Sequence, residues 1–150
     1  MITLKNILVP VDFSDSAKLA FRYAASLANE FGSKIHLLHV IPEENIHVGN
    51  LEDPLQTAKK WELESAGQLE AFVDSPYRGL PIEKHVKGGM VAETIFDFAN
   101  QQEIDLIIMG ARGQSGLVDS LLGGISYEVA RKAPCPVLTV KPTGHGFVSV

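Results

Sequence analysis

The 150-residue chain holds one cysteine, Cys135. With no second thiol there is neither an intrachain disulfide nor a cysteine-based zinc site, which points to a reducing compartment rather than an export route. Basic residues are also scarce, 13 against 18 acidic ones, for a net charge of −5. A surface that neutralises nucleic-acid phosphates needs the opposite balance, so no nucleic-acid partner is expected, although one small anion can still be held locally. No apolar run approaches the ~18 residues of a membrane span. Met1 to Asn6 lead into a strand-like segment without the basic and apolar regions of a signal peptide. The expected location is therefore cytoplasmic, without a membrane partner.

Several nucleotide and catalytic motifs are missing as well. No Gly-Lys dipeptide occurs, which excludes a P-loop. Pro10-Val-Asp-Phe-Ser stands after the first strand-like run, where a dinucleotide fold would carry G-x-G-x-x-G. A nucleophile elbow would need glycine in place of Leu117 after Gly113-Gln-Ser-Gly116. His36, His39, His47, His85 and His145 are scattered without H-E-x-x-H spacing, so the sequence predicts no metal site, and only His39, near a strand end, invites attention. What remains is ordinary globular composition, 45% hydrophobic and 21% charged. A chain of this size buries ~70% of its unfolded surface and is read as one domain over residues 1–150.

The period of the apolar residues alternates along the chain. Ile7-Leu-Val9 and Val11 form a short β-branched run, and Ala17, Ala20, Phe21, Ala24, Leu27, Ala28 and Phe31 then recur at helical spacing up to Gly32. Ile35–Ile41 is a second strand, and the polar stretch from Pro42 to Pro54 reads as a long loop. A helix follows, with Leu55, Ala58, Trp61, Ala66, Leu69 and Phe72 on one face and Pro54 in its first turn. Ile82–Val86 reads as a weaker strand, Gly88-Gly89 as a turn, and Val91, Ile95, Phe98 and Ala99 as a helix. Asp105–Met109, the helix carrying Ile125, Val129 and Ala133, and Val137–Val140 complete a β-α-β-α-β-α-β-α-β order.

Such alternation predicts an α/β fold, an open five-stranded parallel sheet with helices on both faces, because parallel neighbours need right-handed crossovers. Ligands of such sheets bind beyond the carboxyl ends of the strands, where the strand order reverses. If the first and fourth strands flank that point, Pro10 and Asp12 face Met109 and Gly110. Gly110–Gly124 holds five glycines in fifteen residues. Gly110, Gly113 and Gly116 let backbone N–H groups approach an anion, and Gly123-Gly124 suit a helix N-terminus that favours phosphate. Ser126 adds a hydroxyl in that first turn. Asp12 also reads as a helix cap, and Arg112 reads either as a phosphate fork or as a solvated charge.

The opening Asn6-Ile-Leu-Val-Pro-Val-Asp-Phe-Ser14, the late Ile108-Met-Gly-Ala-Arg-Gly113, Leu122-Gly-Gly-Ile-Ser126 and Cys135-Pro-Val-Leu-Thr-Val140 resemble the universal stress proteins, nucleotide-binding branch. The resemblance covers nearly the whole chain and implies a Rossmann-like fold of the adenine nucleotide alpha hydrolase-like kind, strand order 3-2-1-4-5. That branch carries glycine, two residues, glycine, nine residues, glycine, then Ser or Thr. Gly110, Gly113 and Gly123 match, whereas Gly124 stands where the hydroxyl residue is usual. A lost hydrogen bond to a charged group is worth roughly 1.5–3 kcal/mol, which leaves ADP or AMP open beside ATP.

By the same resemblance Pro10, Asp12, Val40, Met109 and Gly110 line the adenine and ribose end. Gly113, Gly116, Gly123, Gly124, Ile125 and Ser126 face the phosphates, to which the fork of Arg112 is our addition; Mg or Mn is the companion cation. Relatives pair through the last strand, so a homodimer through Val137, Leu138, Thr139 and Val140 is implied. Pro134 and Pro136 suit that strand to a sheet edge. The implied function is an ATP-binding stress-response switch with catalysis slow or absent. A dimeric interaction module without nucleotide and a slow ATPase are the alternatives.

Overall fold

The computed structural model describes residues 1–48, 53–111 and 124–149. The elements run β1 (Asn6–Pro10), α1 (Asp15–Phe31), β2 (Lys34–Pro42), α2 (Glu43–Val48), α3 (Pro54–Phe72), β3 (Ile82–Gly89), α4 (Val91–Gln101), β4 (Leu106–Gly110), α5 (Gly124–Lys132) and β5 (Val137–Val140). The strands form one sheet in the order β3-β2-β1-β4-β5, and each neighbouring pair is parallel. This is the predicted Rossmann-like architecture.

Right-handed crossovers put helices made while the chain moves outward on one face, and those made after it turns back on the other. The core divides accordingly. Ile7, Val9, Ile35 and Leu37 pack with Ala20, Phe21, Leu69 and Phe72 of α1 and α3. Leu8, Leu38 and Ile107 pack with Ile95, Phe98 and Val129 of α4 and α5. Among the described residues no helix is long and apolar enough to cross a membrane.

Helix α1 shows how local sequence sets these elements. Ser14 caps it, its Oγ accepting the Ala17 N–H at 3.1 Å. Small buried alanines at 17, 20, 24 and 28 let the helix lie close to the sheet. Gly32, at φ 69°, ends it and donates its N–H to Ala28 C=O at 2.8 Å.

Four readings of the sequence need correction. The stretch from Pro42 to Pro54 is not wholly loop, because α2 occupies Glu43–Val48. Its acidic first turn, Glu43 and Glu44, complements the helix dipole, but six residues are too few to show an apolar period. On α3 the predicted face holds only in part: Leu69 and Phe72 are buried as expected and Ser65 is buried with them, while Ala66 is exposed and Leu55 is 76% exposed. Tertiary packing chose the side that meets the sheet. Strand β3 continues past Val86 to Gly89, pairing along β2 as far as Pro42↔Gly89. Gly89, at φ +147°, then turns the chain into α4, where a Cβ would stand 2.8 Å from Thr94 Oγ1. Cys135, expected in a buried turn, is only partly buried. Burial raises its thiol pKa, consistent with an inert thiol.

Candidate functional site

The strand order reverses between β1 and β4, which among the described residues pair only at Ile7↔Leu106 and Leu8↔Ile107. Beyond it both strands continue, β1 leaning on β2 and β4 on β5. The Val11 N–H donates to Leu38 C=O at 2.8 Å and the Ala111 N–H to Val140 C=O at 2.9 Å. Strand alternation therefore turns position 10 toward β4 just where pairing has ended, so Pro10 sacrifices no ladder bond. A cleft of about 820 Å³ opens there, within the range of small-molecule sites.

The turn from β1 to α1 forms its floor. Phe13 sits at φ 63°, a strained conformation for an aromatic residue. The reversal places Asp12 at the cleft, its Oδ1 accepting both the N–H of Ser14, at 3.0 Å, and the Ser14 hydroxyl. The Phe13 ring lies on His39, 4.5 Å between centroids, and edge-on to Phe72 at 6.2 Å. His39 Nδ1 is 2.6 Å from Val11 C=O. A carbonyl only accepts, so Nδ1 carries the proton in this contact.

Across the gap, Gly110 lies against α1. A Cβ on it would stand 2.7 Å from Ser16 Cβ, 2.8 Å from Ser16 C and closer still to the Ser16 hydroxyl. The glycine at this position thus has a packing reason apart from any ligand. Ser126, 5% exposed at the start of α5, donates its hydroxyl to Gly110 C=O at 2.8 Å and ties helix to strand. Donation from Ser126 Oγ to a phosphate would require this bond to be exchanged.

Of the residues singled out from sequence, Pro10, Asp12, Val40, Met109, Gly110, Gly124, Ile125 and Ser126 line this one cleft. Arg112, Gly113, Gly116 and Gly123 lie outside the described residues. The sequence reading missed Trp61 and Ser65 of α3, which wall the β2 side, and gave His39 little weight. Only the observed register of α3 turns Ser65 inward. His39 carried a usable signal, one residue before Val40 at the end of a strand. The N-termini of α1, α4 and α5 each bring a residue to the cleft lining, Ser14, Val91 and Gly124, so their positive dipole ends favour an anion there.

The histidines are less scattered than their spacing predicts. His36 and His85 stack at 5.5 Å between centroids, on the α4 face of β2 and β3. Burial lowers the pKa of both, against the pull of Glu83.

An open Rossmann-like sheet with an anion-favouring cleft at its switch point defines a class of small-ligand-binding α/β proteins. Within that class the chain belongs to the universal stress protein family, whose profile matches residues 3–141. It is 32% identical over 145 residues to universal stress protein MJ0531 of Methanocaldococcus jannaschii, covering 91% of this chain and 82% of that protein. The solved structure of MJ0577, from the same organism, superposes with a TM-score of 0.83 at 29% identity, covering 96% of this chain and all of that one (100%). The universal stress protein of Archaeoglobus fulgidus in complex with dAMP shares the fold, with a TM-score of 0.56 at 23% identity over 93% of this chain and 98% of that one.

Proposed function

We propose that the cleft between β1 and β4 binds an adenine nucleotide, ATP first, with ADP or AMP as alternatives, and that occupancy switches the protein between binding states. The observation that carries this reading is the cleft itself: about 820 Å³ at the switch point, apolar at Val40, Met109 and Ile95, and faced by three helix N-termini. Adenine and ribose belong beside Pro10, Asp12, Val40 and Met109. The phosphates belong beside Gly110, Gly124, Ile125 and the glycine segment with Arg112, Gly113, Gly116 and Gly123. Backbone N–H groups then hold a polyanion on a protein whose net charge is −5. Asp12 and Glu64 are the carboxylates among the described lining residues, and a Mg or Mn ion accompanying the phosphates would find its protein ligand there. Activity beyond slow hydrolysis is not part of the reading.

Two measurements test it. Nucleotide released from purified protein is identified by mass spectrometry, and melting is followed in ATP, ADP, AMP and GTP. A ligand at 100 times its dissociation constant stabilises by ~2.7 kcal/mol, a clear upward shift. Neither copurified nucleotide nor a shift at millimolar ATP would leave the interaction module without nucleotide as the surviving reading.

The assembly proposed is a two-fold homodimer through antiparallel β5 strands. Strand β5 is a sheet edge, and the tail beyond it lays Phe147 on Tyr23 of α1, 4.9 Å between ring centroids. The carbonyls of Pro136 and Val140 accept from β4, so Val137 and Thr139 turn their backbone groups outward. Thr139→Pro removes one outward donor and spares the β4 ladder. Sedimentation should show a folded monomer; a persistent dimer refutes the β5 interface.

A further inference from the structure

We propose that His36, Glu83 and His85 form a binding site for one divalent transition-metal ion of the zinc type, on the outer β2–β3 pair and separate from the cleft. Parallel register sets His36 opposite Glu83 and Leu38 opposite His85, so strand alternation puts all three side chains on the α4 face. Their donor atoms make a nearly regular triangle: His36 Nδ1 to His85 Nε2 is 3.3 Å, and Glu83 Oε2 is 3.6 Å from each. An ion about 2.0–2.2 Å from every corner satisfies ordinary Zn–N and Zn–O lengths, with a fourth position left for water. Two imidazoles and one carboxylate select zinc-like ions over magnesium or calcium, which prefer oxygen.

The surroundings hold the donors in place. His36 Nε2 is 3.2 Å from Asn6 Oδ1; taken with Nε2–H as the donor, this leaves Nδ1 as a lone pair toward the triangle. Lys34 engages Glu83 through the other oxygen, Oε1, at 2.8 Å, leaving Oε2 to the ion. Phe98 of α4 packs on both imidazoles, at 5.8 Å from His36 and 4.7 Å from His85 between centroids, and walls one side. Side-chain exposure rises from 3% at His36 through 24% at His85 to 45% at Glu83, so an ion can enter from the β3 edge. Lys34 and Lys87 are the cations nearby, and the single negative charge of Glu83 makes the site selective for ligand chemistry rather than for bulk charge.

The test uses chelator-treated, nucleotide-free protein titrated with Zn²⁺ by calorimetry and with Co²⁺ by visible absorption. Expected are one equivalent of Zn²⁺, a higher melting temperature, and the intense Co²⁺ bands of a four-coordinate site. His85→Ala and Glu83→Gln, both partly exposed and expected to fold, should each lose at least ~10-fold in affinity, and Asn6→Ala ~10–100-fold as an outer-shell change. Circular dichroism checks that each variant is folded. Absence of binding overturns the proposal. So does Zn²⁺ binding of unchanged affinity in His85→Ala and Glu83→Gln, which would assign the ion to other donors such as Cys135 or His145. Neither outcome depends on the nucleotide reading.

Discussion

On the β1–β4 side of the cleft, short groups lock backbone to backbone: Ser126 onto Gly110 C=O, Ser14 onto Asp12, and Gly110 against Ser16 with no room for a methyl group. The β2–α3 side is built from larger groups, His39, Trp61 and Gln68, that reach the cleft from well-formed elements without closing it. The two walls therefore separate tasks. A change on the first should alter the fold along with the ligand, because the same contacts hold α1 and α5 to the sheet. A change on the second should alter ligand preference with little cost to folding.

The largest effect should follow from Gly110→Ala. The new methyl would meet Ser16 Cβ and backbone carbon at 2.7 and 2.8 Å, and a backbone atom cannot rotate aside as the end of a flexible chain does. Helix α1 must move off β4, at a cost of about 1–3 kcal/mol and toward the upper end of that range. Urea unfolding measures it. An unchanged midpoint would show that this wall yields as easily as the other, and the distinction between them would go.

The sequence made the first wall legible and the second largely not, for a physical reason. Pro10, Asp12, Met109, Gly110 and Ser126 sit at strand ends and helix starts, where turn chemistry confines the choice of residue and marks the position in one dimension. The switch point followed from the order of elements, since strand alternation and crossover handedness leave few arrangements. Trp61 and Ser65 lie in the interior of a helix. Their inward direction depends on how α3 rolls against the sheet, and its apolar pattern is too weak to fix that roll, as exposed Leu55 and buried Ser65 attest. The His36–Glu83–His85 triangle was hidden differently. Glu83 and His85 alternate visibly, but His36 joins them only through the register of two strands that lie 47 residues apart, counted from His36 to Glu83.

The smaller effect is expected at Trp61, and it sharpens the contrast from the other side. This is the chain's one tryptophan, partly buried on α3 and facing the cleft, so its emission reports on that wall alone. Phenylalanine keeps an aromatic ring of smaller area at a position that makes no ring contact or side-chain hydrogen bond among the described residues. Trp61→Phe should therefore unfold within about 0.5 kcal/mol of the parent, the ordinary range for substitutions outside tightly packed positions. In the parent, an adenine nucleotide entering the cleft should change the emission in proportion to occupancy, while affinity in Trp61→Phe, read by calorimetry, should shift without being abolished. If emission is indifferent to saturating nucleotide while the melting temperature rises, the ligand lies wholly on the β1–β4 wall. If Trp61→Phe costs as much stability as Gly110→Ala, the β2–α3 side is structural after all, and the division of labour across the cleft fails.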